Sequence, residues 1–448
     1  MKNIIKNNLH FIIFTFLIFI LSYFFICTEE DLLYVVSNNF RGFDEFFRFS
    51  KGFILSSSLI STIVKIKSIR VIFCTLLIMS FGYIVNKIIN IENKSMFVLG
   101  LYSLILFPIS IFKICTNSFY VVNYLLPITF SLIYINFLVK NNLQNIRPYI
   151  CFILGYIVSL INPIFTILFL IIPLLVLIYK IKNKENTRNH LTLFLGSITG
   201  CASVMYGYHF SNTYVYIPNI VNQIFHKVIP LLYINNLFSF IFIIVVLLLS
   251  INIIKFKGKK LKNITLLCDF IIILYLVGHF VNFHYYILYI LYILFTISSI
   301  VILLNFNNSY MFKRKIKLYY IFKILYILIL LSQNSIDETS LSFIYVIDAL
   351  IILDVLNFIY PKNYLYLTYS IACISTFMLL IAIYANTFYK NIYVKDQIKR
   401  ELLCNNYLIK LDEKYKKTYP YNIVPSDDYK QYYLKYNNIN SKDYFIIE

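Results

Sequence analysis

The run LHFIIFTFLIFILSYFFIC (Leu9–Cys27), followed at once by Thr28-Glu29-Glu30-Asp31, decides how the chain is read. A helix of about 20 apolar residues spans the roughly 30 Å hydrocarbon core of a bilayer, and this run is long enough to do so. Runs of the same kind recur along most of the 448 residues. The chain is 60% hydrophobic and 13% charged, with a mean hydropathy of +0.75, which excludes an ordinary soluble globule. Inside a bilayer every backbone polar group must be satisfied within the protein, so the spans are expected to be helices. The reading is an all-α integral membrane protein, a polytopic bundle of about 11–13 transmembrane helices. Trp is absent, and the 41 Tyr supply the interfacial aromatics usually shared with it.

A net charge of +20 raises the question of a nucleic-acid partner. The Lys and Arg residues fall in short connectors between apolar runs, as the positive-inside rule expects, and no nucleic acid is needed to explain them. The eight Cys show no CxxC pairing. Cys74, Cys151, Cys268 and Cys373 lie inside apolar runs and read as small hydrophobes. Met1 to Lys6 precede the first span, and no small-residue cleavage site follows it, so it reads as a retained signal anchor.

In chain order, span 1 (Leu9–Cys27) leads to a polar loop, Thr28–Arg70, within which Gly52–Val64 is apolar but too short to cross. That piece is expected to be a helix lying in the interface. Spans follow at Val71–Ile89, Met96–Ile114 and Val121–Val139. Tyr149–Tyr179 has basic flanks on both sides and is broken by Asn162-Pro163, which predicts two short helices turning back at that point. Further spans are Leu191–Tyr208, Leu237–Ile254, Ile264–Val281, Tyr285–Leu304, Leu318–Ser332, Leu341–Tyr360 and Tyr364–Asn386. The basic connectors place the N-terminus in the cytoplasm of a bacterial inner membrane and the first loop outside it. Residues 387–448 form a small extracytoplasmic tail, helix-like at Tyr389–Leu403 and strand-like at Tyr407–Leu411 and Tyr419–Val424.

The first loop carries the candidate chemistry. Glu29, Glu30 and Asp31 open it, Asp44 and Glu45 follow, and Arg41, Arg48 and Lys51 are interleaved. A carboxylate at a membrane surface can deprotonate an acceptor hydroxyl or hold a divalent cation such as magnesium or manganese. Guanidinium and ammonium groups beside it can clamp a phosphate. His279 and His284 bracket one helical hairpin, without the spacing of a metal site. Ionisable residues inside spans are costly and are usually paired or functional. Lys323 and Asp354 are expected to pair, with Asp269 near them, and Asp348 is expected to line a cavity.

An anchor helix, an outer loop opening on acids, many short spans and an outer tail together resemble the GT-C superfamily of membrane glycosyltransferases. Glu30-Asp31-Leu32-Leu33-Tyr34 is similar to the acidic pair and aromatics that open the first loop in an uncharacterised bacterial branch related in style to O-antigen glucosyltransferases. Asn117-Ser118-Phe119 and Asn123-Tyr124, before Pro127, loosely resemble that branch's turn ahead of a proline-containing span. Asp428-Tyr-Lys-Gln-Tyr-Tyr-Leu-Lys-Tyr436 resembles its closing segment. A later Gly-Arg pair reads Gly52-Phe53 here, the turn's Gly is Asn117, and an Asn-Glu element near the sixth span reads Asn162-Pro163. The resemblance implies transfer of a sugar from a polyprenyl-phosphate carrier to a cell-surface glycan, lipid or protein. It implies Asp31 and Glu30 as the catalytic acids, with Arg41, Arg48, Lys51, Asn117, Asn123 and Tyr124 around the substrate. The alternatives are a carrier of lipid-linked glycan or a non-catalytic membrane scaffold.

Overall fold

The computed structural model describes residues 2–27, 31, 54–89, 118–210, 237–281, 283–307, 309–331, 338–359, 362–404, 408–411, 430, 433–434 and 446–447. The expected span Met96–Ile114, most of the loop His209–Asn236 and the strand-like Tyr419–Val424 lie outside them. The described chain is helical: α1 (Lys2–Tyr23), α2 (Ile54–Lys65), α3 (Lys67–Ile89), α4 (Ser118–Lys140), α5 (Pro148–Ile161), α6 (Pro163–Lys182), α7 (Arg188–Phe210), α8 (Leu237–Phe256), α9 (Lys259–Phe280), α10 (Tyr285–Phe306), α11 (Tyr310–Leu331), α12 (Ser342–Ile359) and α13 (Lys362–Leu403). Two residues of the tail, Leu408 and Ile409, pair in parallel with Ile446 and Ile447.

Among the described residues six helices are long and apolar enough to cross a membrane: α3, α4, α6, α9, most of α10, and α12 with the short 3-10 turn before it. Two shorter apolar segments, Pro148–Ile161 and Phe240–Phe256, accompany them. The chain is therefore a helical, polytopic membrane protein. The apolar exterior fits that setting, with Ile72, Leu76, Leu267, Phe270, Ile290 and Ile297 all exposed.

Between α4 and α7 the expected turn is present, but only α5 is short. Helix α6, at 20 residues, is long enough to cross a membrane, because its apolar run reaches Tyr179 and the helix continues to Lys182. Pro163 opens α6, where its missing N–H is not needed. Asn162 caps that helix, its Oδ1 accepting from Ile164 N at 2.9 Å. Lys180, near the end of α6, returns to Asn141 and Glu185, and Asn189 at the start of α7 donates to Ile146 O just before α5. All these ends lie together, so α5 and α6 form a hairpin. Glycines let α7 lie hard against α5: Gly196 faces the backbone of Phe152, and Gly200 faces Tyr156 and Ser159. The facing positions rise together along both helices, so α5 and α7 run parallel.

At the centre is α12, the most deeply buried of the spans, packed on α3, α8 and α11. Helices α8, α9 and α10 form a three-helix group beside it. The long α13 lies along α1, with Phe25 and Tyr384 rings 5.5 Å apart and Lys67 Nζ 3.7 Å from the Tyr23 ring centre.

Several boundaries differ from the sequence reading: α3 and α9 start earlier, at Lys67 and Lys259, and three others have a visible cause. The first helix ends at Tyr23 rather than Cys27. Phe24 and Phe25 bond back three residues, which ends the α-helical turn, and Arg70 Nη2 then takes the carbonyl of Phe25 at 3.0 Å. Helix α11 begins at Tyr310, so Lys313, Arg314, Lys315 and Lys317 are helical rather than connector. Lys and Arg are good helix formers, and Lys315 finds a buried partner inside the bundle. Helix α13 runs through the expected boundary at residue 386 without a break, to Leu403. It contains neither Gly nor Pro, so nothing in its sequence stops it. The expected interfacial piece is α2, about 18 Å long at 1.5 Å per residue and too short to cross.

Candidate functional site

Asp31 is fully buried. Its Oδ1 accepts from Phe119 N at 2.9 Å, a bond closed across 88 residues of chain. Phe119 lies in the first turn of α4, where amide N–H groups have no intrahelical partner. A carboxylate at that position also meets the positive end of the helix dipole. Helix α2 covers this junction. Its Ile60, Ile63 and Val64 form a small cluster with Val122, against which Cys27, Phe73 and Phe119 pack.

Arg70, in the first turn of α3, is a functional candidate that the sequence reading passed over. It is buried, donates through Nη1 to Cys27 Sγ and through Nη2 to Phe25 O, and so fixes the end of α1 to the start of α3. Asp31 and Arg70 both act electrostatically on Cys74, one turn further along α3, which puts a carboxylate and a guanidinium in one neighbourhood. The available signal was its place at the junction between an interfacial helix and a span.

The first turns of α4 continue this site inward. Residues Val121–Leu125 form a π-helical turn in which Leu126 N bonds Val121 O, and such turns recur at functional sites. Pro127 has no N–H to offer Asn123 O, four residues before it. That carbonyl instead accepts from Asn162 Nδ2 at 2.9 Å, which ties the α5–α6 turn to α4. The side chain of Asn123 is almost fully buried, and neither its Oδ1 nor its Nδ2 has a hydrogen-bond partner. Ser159 Oγ, three residues before Asn162, is buried in the same condition. Tyr124 is half-buried, with its ring 6.1 Å from that of Tyr120.

The ionisable residues within the spans pair differently from expectation. Lys323 Nζ donates to both oxygens of Asp348, at 2.7 and 2.9 Å, rather than to Asp354. Lys315 Nζ donates to Asp354 Oδ1 at 2.7 Å, and Tyr319 OH donates to Oδ2 at 2.8 Å. Helices α11 and α12 are antiparallel neighbours, so residues 315, 319 and 323, one turn apart, meet 354 and 348 in reverse order. Asp348 is thus bound on both oxygens, and Asp354, on the same helix, lines a cavity. Asp269 joins neither pair; it lies beside Ser250.

His284 is exposed and precedes α10, where its carbonyl accepts from Ile287 N. Glu30, Arg41, Asp44, Glu45, Arg48, Lys51 and Asn117 lie outside the described residues. Among the described residues no group of three or more His, Cys, Asp or Glu could hold a metal ion. Among the described residues the structure brings Asp31 to Phe119 at the start of α4, one turn ahead of Asn123 and Tyr124. It puts Arg70 in the same neighbourhood, while Asp348 is held by Lys323. The class these features define is a polytopic helical membrane protein with a buried acid at the junction of its first helices. Comparison with protein-family models, with curated proteins and with solved structures yields no match.

Proposed function

We propose that the protein is a membrane glycosyltransferase that moves a sugar from a polyprenyl-phosphate donor to a cell-surface glycan, lipid or protein. One observation carries the reading: the Asp31 carboxylate is buried at a junction covered by the short helix α2 and is held by a helix-terminal amide. A lipid-linked donor needs a base, a cation near its phosphate and an apolar border for its chain. Asp31 fills the first role, Arg70 is a buried cation in the same neighbourhood, and α2 supplies the border. The unpartnered Asn123 amide, one helical turn from Phe119, is suited to sugar hydroxyls that can both donate and accept.

Asp31→Asn is the informative change, because its amide oxygen still accepts from Phe119 N while the base is gone. Cells carrying Asp31→Asn at normal protein level should show the same glycan mass spectrum as a deletion strain. An unchanged spectrum in cells making Asp31→Asn would remove Asp31 from the chemistry.

The buried Lys323–Asp348 and Lys315–Asp354 pairs favour a second reading, a carrier of lipid-linked glycan. A carrier should move a fluorescent polyprenyl-phosphate sugar across proteoliposome membranes with Asp31→Asn in place, whereas a transferase should not.

A further inference from the structure

A cavity of about 380 Å³ opens at the opposite end of the bundle from Asp31. It lies where α3 and α12 end, α4 ends at Lys140 and α11 begins at Tyr310. Its polar lining is Lys140, Lys315, Asp354, Asn307, Ser309 and Asn357. Two lysines stand against one aspartate, so the lining carries a net positive charge. Lys315 is buried and held on Asp354 Oδ1, and Lys140 is half-buried. The amides of Asn307 and Asn357 add donors to the two ammonium groups. Ser309 starts α11, its Oγ accepting from Phe312 N at 3.2 Å, so the first turn of that helix also opens here.

The surroundings strengthen the positive field. Arg314 is anchored to Leu138 O at 2.7 Å, and Lys313 and Lys317 flank it in sequence. The remaining walls, including Ile88, Val139 and Phe312, are apolar. A volume above about 300 Å³ with apolar walls and a few convergent polar groups is the form of a ligand site. The cavity also sits at the level of the helix ends, where lipid headgroups lie, and basic pockets between spanning helices take anionic headgroups.

We propose that this cavity binds a phosphate group, held by Lys140 and Lys315 and bordered by Ser309, Asn307 and Asn357. The proposal does not depend on the transfer reaction assigned to Asp31. At the depth of the helix ends the natural source is an anionic phospholipid, whose chains would lie against the apolar wall.

Lys315→Gln would strand Asp354, so the test uses variants that keep the fold. Lys140→Gln removes a rim charge. Ser309→Asp keeps a good helix cap while placing a negative charge in the cavity. Lys259→Gln removes an equal charge from the exposed first turn of α9, away from the cavity lining. The detergent-purified full chain is titrated with phosphatidylglycerol or phosphatidylcholine by native mass spectrometry, and separately melted with sodium phosphate. Phosphatidylglycerol should be retained over phosphatidylcholine, with retention falling about tenfold in Lys140→Gln and Ser309→Asp and unchanged in Lys259→Gln. Stabilisation by sodium phosphate with that variant pattern, without lipid retention, keeps the phosphate site and replaces the lipid source by a soluble one. The site is overturned by an equal loss in Lys259→Gln, by undiminished binding in Ser309→Asp, or by no response to either probe.

Discussion

At the scale of single residues, the buried ion pairs set the largest penalties. Lys323 and Asp348 are each almost fully enclosed and bonded twice to one another. Removing one member leaves an unpaired buried charge, which costs roughly 3–5 kcal/mol, whereas replacing both by apolar groups is often neutral or stabilising. Asp348→Asn should therefore lower the melting temperature in detergent sharply, and the double variant Lys323→Met with Asp348→Leu should recover it. A single variant as stable as the parent would show that the pair is not closed in the membrane. His190 gives a pH dependence. It lies in the first turn of α7, ahead of the apolar part of that helix, and burial foremost, then Lys180, pushes its pKa down to about 4. An unfolded histidine takes up its proton near pH 6.5, so the unfolded chain binds a proton that the folded one refuses. The resulting stability is complete above about pH 6.5 and is lost as pH falls towards 4, with a slope of at most about 1.4 kcal/mol per pH unit. His190→Phe should flatten that slope in pH-dependent melting curves, while an unchanged slope would assign it to other groups. These residues were visible in the sequence as polar letters in apolar runs. Their partners were not, because Asp348 and Asp354 stand less than two turns apart on α12, and a modest slide of α11 along it exchanges one for the other.

At the scale of elements, hydrophobic run length marked most helices, and the breaks at Asn162-Pro163 and after Gly52 marked the two irregular ones. Helix ends were less legible where charge was read as connector, as at Lys313–Lys317, because a lysine in a helix and a lysine in a loop look alike until a buried carboxylate appears opposite. The π-helical turn at Val121–Leu125 and its tie to Asn162 were also hidden, although both asparagines and Pro127 could be read. Each is local, but the bond joining them spans 39 residues. The close packing of α5 on α7 is the element-level feature most open to test. A methyl group on Gly196 would meet the backbone of Phe152, and one on Gly200 would lie 2.8 Å from Tyr156 O. A backbone atom cannot swing aside, so the two helices would have to separate. Gly196→Val should destabilise the protein by about 1–3 kcal/mol, the usual cost of overpacking. Gly258→Ala is the matched control, since nothing lies within 4 Å of its added carbon. Equal melting temperatures for the two variants would show that α5 and α7 do not pack this closely.

At the scale of the whole molecule, the two ends of the bundle differ in chemistry. One end gathers Asp31, Arg70, the covering α2 and the π-helical turn of α4. The other gathers the Lys180–Glu185 bridge, Arg314 and the cavity bounded by Lys140 and Lys315. Composition announced a membrane protein because a bilayer leaves few alternatives to apolar helix, but it could not say which charges share an end. The charge asymmetry nonetheless makes a definite prediction. Basic connectors are retained in the cytoplasm, so the Lys180 and Lys315 end should face inward and the Asp31 end outward. Helix α13 starts after α12 has returned to the basic end, passes α1 beside Tyr384 and Phe388, and carries the exposed Cys404 just beyond its last residue. Its 42 residues would extend about 63 Å at 1.5 Å per residue, well past a core of roughly 30 Å. Cys404 should therefore stand clear of the membrane on the Asp31 side. In a variant whose only cysteine is Cys404, a membrane-impermeant maleimide should label intact cells. With Gly258→Cys as the only cysteine, in the connector between Lys257 and Lys259, labelling should require permeabilised cells. The reverse pattern would place Asp31 in the cytoplasm, where a nucleotide-linked sugar would replace the polyprenyl-phosphate donor and the proposed transfer reaction would have to be abandoned. Labelling of both positions from outside would instead remove the parity of spans on which the two-ended arrangement rests.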